Sequence, residues 1–223
     1  MAQNVLRGRR AKNGNGRAER RVEVGRELRI TGHLVGLARP LLMTVIFTGL
    51  RASELRGLRW VDIDFEHHEL HVRQRADIFN AIGPPKSKAG ARTIPLPPIA
   101  SNTLREWKLK AGTSELVFSR DNGRPWNYNI VQNAWHVVQI AAGVVDAEVG
   151  PKYPGLHALR HFYASSCINR KADGGLELPI KVVQARMGHA SIQMTADTYG
   201  HLFPRTDDGS ELAAAERALV AVP

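Results

Sequence analysis

The chain has 223 residues, 43% of them hydrophobic, which favours a folded domain with a short appendage over a disordered chain. No apolar run approaches the roughly 20 residues that a membrane helix needs, and a single cysteine, Cys167, excludes an internal disulfide framework and suits a reducing cytoplasm. The formal net charge of +10 favours a polyanionic partner, although residues 1–40 hold ten Arg/Lys and three Glu, and so supply +7 of it.

The first part of the chain is predicted to be a basic arm followed by two helices. Residues 1–30 are rich in Arg, Gly and Asn and predict a flexible arm, in which a helix over 17–29 stays an open alternative. Apolar residues at helical spacing then predict a helix over 33–48, and a second helix over 53–58 follows the break at Gly49. Charge alone is as typical of a domain with a basic tail as of a nucleic-acid-binding protein.

Alternating apolar and polar residues predict three strands, over 61–65, 70–73 and 92–96. His67 and His68 suit the turn between the first two strands, and a Gly/Pro-rich stretch over 83–90 separates the second from the third. These segments indicate a small three-stranded antiparallel sheet with a basic hairpin.

The remainder of the chain has mainly helical patterns, so the predicted fold class is α+β and mainly helical. Ser191 is a candidate N-cap, and Pro179 and Gly188 stand where a helix begins and ends. The predicted helices cover residues 99–111, 127–142, 156–169, 180–187, 191–199 and 209–220, with a short extended piece at Val117 and Phe118.

Several polar residues stand where a core pattern would not place them. His157 and Arg160 are three residues apart and so share a helix face. Each of these residues alone has a structural explanation, as a satisfied histidine, a tyrosine at the rim of the core or a surface arginine. The candidates are Arg51, Lys86, His157, Arg160, His189 and Tyr199.

Taken together, these residues lie in four segments that resemble the boxes of tyrosine recombinases, the phage integrase family. Residues 48–55 (TGLRASEL) resemble the first arginine box, and residues 157–161 (HALRH) resemble the H-x-x-R box. Met187-Gly188-His189 with Thr198-Tyr199 resembles the L-G-H…Y ending, and residues 85–96 resemble the lysine hairpin. The four boxes occur in the family's order over about residues 33–204. The H-x-x-R box alone is weak evidence for the family, but all four boxes in this order are highly specific to it.

The resemblance implies a role for each matching residue. Arg51 and Arg160 would clamp the oxygens of a DNA phosphate, where a guanidinium can bind two oxygens at once. His189 would donate a further hydrogen bond to the phosphate, and His157 would act as an acid/base or orienting donor. Tyr199 would be the nucleophile. Because the unperturbed pKa of a tyrosine is about 10, its phenol would need help to lose its proton near the phosphate.

The general acid that protonates the leaving 5′ oxygen is implied to be Lys86, on the mobile hairpin. Lys88 competes with it, and the spacing to Ile94 does not decide between the two. Glu54 either orients Arg51 or supports its helix, while His161 lies beside the site residues.

The resemblance also implies the activity, which is site-specific DNA recombination through a 3′-phosphotyrosine intermediate without a metal or nucleotide cofactor. The implied partners are double-stranded DNA and further copies of the chain, in a homo-tetramer on DNA, with no membrane contact. The implied location of this bacterial or phage-encoded protein is the cytoplasm, at the nucleoid. The expected organisation is a basic arm over 1–30, a catalytic domain over 31–204 and a tail helix over 205–223, docked on its own body or on a neighbour.

One departure from the family and two rival interpretations remain open. Complete integrases carry a helical core-binding domain that about 30 N-terminal residues do not resemble, so we expect a fragment, a truncated product or a minimal form. The first rival is therefore a DNA-binding remnant that no longer recombines. The second is a metal-dependent nuclease using Asp62, Asp64 and histidines, although alternating acidic residues fit strand edges better.

Overall fold

The computed structural model describes residues 36–203 and five helical positions beyond them, Ala213, Glu216, Arg217, Leu219 and Val220. The predicted arm over 1–30 lies outside the described residues. The five later positions agree with the helix predicted over 209–220, and Leu219 and Val220 are 78% and 75% exposed.

Seven helices are described, and they dominate the fold as predicted. The helix over Ile192–Tyr199 begins after Ser191, whose side chain accepts a hydrogen bond from the Met194 amide at 3.2 Å, and this confirms the predicted N-cap. The helices are α1 (Ala38–Thr48), α2 (Ala52–Arg56), α3 (Pro98–Lys108), α4 (Tyr128–Ala141), α5 (His157–Ile168), α6 (Ile180–Met187) and α7 (Ile192–Tyr199), with 3₁₀ turns at Trp60–Asp62, Lys88–Gly90, Lys171–Asp173 and Gly200–Leu202.

The predicted three-stranded antiparallel sheet is present, with strand order β1-β2-β5. Its strands are β1 (Ile63–Asp64), β2 (Glu69–Val72) and β5 (Arg92–Pro95), and Leu70 pairs with both Ile63 and Ile94 on the buried face. The strand predicted over 61–65 is shorter than expected, because Trp60–Asp62 forms a 3₁₀ turn that directs Asp62 inward to Arg59.

Two short hairpins are described that the sequence patterns did not predict. They are β3 (Arg75–Ala76) with β4 (Ile82–Gly83), and β6 (Val145–Asp146) with β7 (Gly150–Pro151). Two-residue strands are too short to show an alternating pattern. The first hairpin is held instead by buried Arg56, whose guanidinium donates to the carbonyl oxygens of Trp126 at 2.6 Å and Asp77 at 2.9 Å.

The hydrophobic core lies between α1 and its neighbours α3, α4 and α5, while α6 packs against α5, α7 and strand β5. Leu41, Leu42, Trp135 and Leu159 are fully buried there, and each such side chain contributes about 2 kcal/mol of transfer free energy. This packing brings the C-terminal end of α6 against the loop after α1, where the candidate residues lie.

The loop after α1 depends on Gly49, which ends that helix with φ of 62°. A Cβ at this position would collide with the ring of Tyr163, so a larger residue would strain the backbone and displace the ring. Tyr163 is therefore a packing residue. Within the described part of the chain, none of the helices combines the length and the apolar character that crossing a bilayer requires.

Candidate active site

Three guanidinium groups meet at the C-terminal end of α6. Arg92 Nε donates to the carbonyl oxygen of residue 186 at 2.8 Å, and Arg160 Nη2 donates to the carbonyl oxygen of residue 187. Arg51 Nη2 donates to the carbonyl oxygen of residue 188 at 3.3 Å. A helix leaves its last carbonyls without helical partners, and the negative end of its dipole favours cations. The end of α6 therefore gathers arginines from the starts of α2 and β5 and from α5.

The turn after α6 allows this convergence because residue 188 is glycine. Gly188 has φ of 60°, and a Cβ there would stand 2.9 Å from both the carbonyl oxygen of Ala89 and Nη1 of Arg92. The main chain of the segment that carries Lys86 and Lys88 thus passes directly against Gly188. Both lysines are exposed on that segment.

Arg160 is held at the floor of the site. Its side chain is buried, and Nη1 donates to the carbonyl oxygen of Gly49 at 2.6 Å. Burial, and then the nearby charge of Arg51, lower the pKa of Arg160 to about 9, so it is still protonated at neutral pH.

Glu54 neutralises part of this positive charge and orients Arg51. Its Oε1 accepts from Arg51 Nη1 at 2.7 Å, and its Oε2 accepts from the Arg51 backbone amide at 2.9 Å. Burial alone would raise the pKa of Glu54, but the hydrogen bonds and charge of Arg92, with the charge of Arg51, outweigh it and lower that pKa to about 2. The structure supports both roles considered for Glu54, because its bond to Nη1 orients Arg51 and its bond to the Arg51 amide caps the start of α2.

His189 is buried beside these arginines in its neutral form. Burial, followed by the charges of Arg160 and Arg51, lowers the pKa of His189 to about 4. Its Nδ1 lies 3.0 Å from the hydroxyl oxygen of Thr195 on α7. When that hydroxyl donates to Nδ1, the proton of the neutral ring is on Nε2, which is then a hydrogen-bond donor.

Tyr199 lies at the end of α7 between two histidines. Its hydroxyl oxygen is 2.6 Å from Nδ1 of His161, and its ring stacks on that of His189 with centroids 6.3 Å apart. The ring of His157 contacts that of His161 edge to face, with centroids 4.5 Å apart. Only 1% of Tyr199 is exposed.

The structure thus brings together most of the residues named from the sequence. Arg51, Arg160, His189 and Tyr199 share one cluster, and His157 joins it through His161. Lys86 and Lys88 lie on the adjoining segment, and their positions leave the choice between them open.

Two further residues of the cluster, Arg92 and Thr195, were not identified from the sequence. Arg92 pairs with Glu54 through two hydrogen bonds of 2.9 and 3.0 Å, and Thr195 meets His189. Both are common residue types in ordinary strand and helix patterns, so their positions in the sequence gave no signal. His161 was placed beside the site and proves to contact the phenol directly.

The acidic residues of the rival metal site are engaged elsewhere. Asp62 is 1% exposed and pairs with Arg59 at 2.8 Å, while Asp64 accepts from the ring of His67 at 2.8 Å. Among the residues that the structure describes, no group of three or more His, Cys, Asp or Glu side chains is arranged to hold a metal ion. The geometry therefore does not support the nuclease alternative.

Comparison with known proteins identifies relatives for most of the chain. The tyrosine recombinase XerC-like protein of Caldanaerobacter subterraneus subsp. tengcongensis is 32% identical over an alignment of 193 residues, which covers 75% of this chain and 46% of that protein. The prophage integrase IntR of Escherichia coli K12 is 28% identical over an alignment of 183 residues, which covers 74% of this chain and 43% of that protein. The chain thus spans somewhat less than half the length of these curated relatives.

The fold is also that of known recombinases. The Tn1549 transposon integrase, solved in complex with transposon right end DNA, superposes with a TM-score of 0.61 at 23% identity, covering 89% of this chain and 60% of that one. This likeness confirms the predicted fold class, a mainly helical tyrosine-recombinase catalytic core with a small antiparallel sheet. Residues 37–205 match the model of the phage integrase family. The chain therefore belongs to the phage integrase family.

Proposed function

We propose that this chain is the catalytic part of a site-specific DNA recombinase that cleaves and rejoins DNA through a covalent bond to Tyr199. The observation that supports it best is the convergence of Arg51, Arg160 and His189 beside a single phenol. The family relationship supports the reaction class. Because the chain spans less than half the length of its curated relatives, the activity of those whole proteins is proposed for it rather than carried over directly.

The cationic cluster is proposed to hold the scissile phosphate. A phosphodiester carries one negative charge, and the attack of a nucleophile places more charge on its non-bridging oxygens. Arg51 is one-third exposed, so its guanidinium can reach an arriving phosphate while Glu54 holds its inner edge. The buried guanidinium of Arg160 adds positive charge beneath the phosphate site, and Nε2 of His189 donates a hydrogen bond to the phosphate. Removing one such donor typically slows catalysis by about 10²- to 10³-fold.

The nucleophilic step is assigned to Tyr199. Its Oη forms a bond to phosphorus, the bond from phosphorus to the 5′ oxygen breaks, and the phenolic proton passes to a base. His161 is already in hydrogen-bond contact with that hydroxyl, and His157 contacts the ring of His161. Since only 1% of Tyr199 is exposed, the end of α7 has to shift when DNA binds.

The departing 5′ oxygen is proposed to take its proton from Lys86, with Lys88 as the competing donor. Both lysines are exposed on the segment before β5, whose main chain lies against Gly188. In the proposal, a movement of this segment brings one ammonium group to the bound phosphate. Rejoining is the reverse step, in which a 5′ hydroxyl attacks the phosphotyrosine, and neither step consumes a cofactor or requires a metal.

The partners follow from this reaction. The proposed substrate is double-stranded DNA, and exchange of four strands calls for four tyrosines, hence a homo-tetramer assembled on DNA within the bacterial cytoplasm. In this proposal residues 31–204 form the catalytic domain, residues 1–30 a DNA-contacting arm, and residues 205–223 a tail whose helix docks on its own body or a neighbour.

The proposal is tested with a nicked suicide substrate, in which cleavage releases a short fragment and traps the covalent adduct. We expect an SDS-resistant adduct that forms in EDTA and is absent from Tyr199→Phe. DNA binding without any adduct would favour the non-recombining remnant. Cleavage that EDTA abolishes would contradict the proposal and restore the nuclease alternative.

A further inference from the structure

Arg92 donates four hydrogen bonds within the cluster, yet it lies behind the surface that would meet DNA. Its side chain is only 5% exposed. Nη1 and Nη2 bind the two carboxylate oxygens of Glu54 at 3.0 and 2.9 Å, Nε binds the carbonyl oxygen of Arg186, and Nη1 also binds that of Gly90 at 2.9 Å. These bonds use most of its five N–H donors, so Arg92 is not a phosphate ligand.

Arg92, Glu54 and Arg51 form a row that runs from the interior to the surface. Arg92 is buried at the inner end, Glu54 is 3% exposed in the middle, and Arg51 is 34% exposed at the outer end. Through its side chain, Arg51 contacts the carboxylate with one nitrogen, Nη1 at 2.7 Å. Arg92, not Arg51, makes the bidentate pairing that arginine and carboxylate prefer.

Because Arg92 and Arg51 share the carboxylate of Glu54, the contacts of Arg92 limit how Arg51 can pair with it. If Arg92 did not occupy both carboxylate oxygens, Arg51 could turn inward and pair with Glu54 through two nitrogens. That pairing would be stronger than the single contact, and it would withdraw the guanidinium from the place where a phosphate arrives.

We propose that Arg92 is a positioning residue, which occupies Glu54 so that the guanidinium of Arg51 stays directed at the scissile phosphate. The inference rests on the proposed function and deepens it, since Arg92 itself touches no DNA. A purely structural role, as a fastener between β5 and the end of α6, would predict a general loss of stability with no specific effect on phosphate recognition.

The test compares two DNA duplexes that differ only at the scissile linkage, which is either a normal phosphodiester or an uncharged methylphosphonate. Affinities are measured in the Tyr199→Phe chain, so the result does not depend on cleavage. We expect the parent to prefer the charged linkage by about tenfold or more, the scale of a hydrogen bond to a charged group. Arg92→Lys, which keeps the charge but loses the fork, should remove most of that preference while general DNA affinity changes little.

A matched control is Arg59→Lys, which removes the same bidentate pairing from Arg59 and Asp62, whose bonds of 2.8 and 3.1 Å involve no residue of the cluster. Its preference should equal that of the parent. Arg92→Met is measured beside it, with far-UV circular dichroism to confirm folding of each variant. Equal binding of both duplexes by the parent, or an unchanged preference in both folded Arg92 variants, would overturn the inference. Failure of the adduct assay alone would refute cleavage and leave this result intact.

Discussion

The buried carboxylate of Glu54 offers a quantitative test of the site, through the substitution Glu54→Gln. The glutamine has nearly the same shape, but it replaces one acceptor oxygen with a donor and leaves Arg51, Arg92 and Arg160 without their shared anion. Removing one partner of a buried ion pair in this way typically costs about 3–5 kcal/mol.

The pKa of Glu54 gives an independent magnitude. Folding lowers it from 4.5 to about 2, which at about 1.4 kcal/mol per pKa unit corresponds to about 3 kcal/mol in favour of the ionised form. A carboxyl whose pKa is lowered by folding contributes this stability above pH 4.5 and loses it as the pH falls towards 2. The difference in unfolding free energy between wild type and Glu54→Gln should therefore be about 3 kcal/mol at pH 7 and roughly half of that at pH 3.

The assay is urea unfolding of both proteins at pH 7 and pH 3. The buried His189, whose pKa folding lowers to about 4, destabilises both proteins as the pH falls below 6.5 and so cancels in the difference. Glu106→Gln is the control, because the Arg39–Glu106 pair is 44% and 58% exposed and should contribute less than about 1 kcal/mol. A difference for Glu54→Gln that is small, or equal at both pH values, would refute the reasoning.

Three further outcomes are expected. Thr195→Val should slow single-turnover cleavage about tenfold, because it leaves Nδ1 of buried His189 without its hydroxyl, whereas Thr195→Ser should not; equal rates would exclude the Thr195 contact from the mechanism. Lys86→Ala should cut cleavage by about 10²-fold or more at a normal 5′ oxygen and far less at a 5′ bridging sulfur, which leaves without a proton; the same pattern in Lys88→Ala instead would reassign the acid. Deleting residues 1–30 should flatten the salt dependence of DNA affinity, and an unchanged slope would show that the arm does not contact phosphate.

The sequence predicted the site well where a residue type is itself chemically specific. Arg51, His157, Arg160, His189 and Tyr199 stand in short boxes whose order is informative, and the structure brings four of these five together directly. The supporting contacts could not be predicted in this way. An arginine in a strand is ordinarily a surface residue, and only the packing of β5 against α6 directs Arg92 to Glu54.

The same distinction holds for the fold. Helices with clear apolar spacing were predicted to within a few residues, and α6 was predicted over its observed range, between Pro179 and Gly188. The hairpin of β3 and β4 was missed because it owes its shape to the buried guanidinium of Arg56 rather than to strand periodicity. The inward turn at Asp62 was missed for a similar reason, since its pairing with Arg59 is a tertiary contact in a region of strand-like alternation.

The most direct test of the central claim is to identify the residue that carries the phosphate. The adduct formed with a suicide substrate is digested with nuclease and protease, and the modified peptide is sequenced by tandem mass spectrometry. We expect the nucleotide-bearing phosphate on Tyr199. A phosphate on Tyr128, Tyr153 or Tyr163, or on a serine, would contradict the proposed assembly of arginines, histidine and phenol.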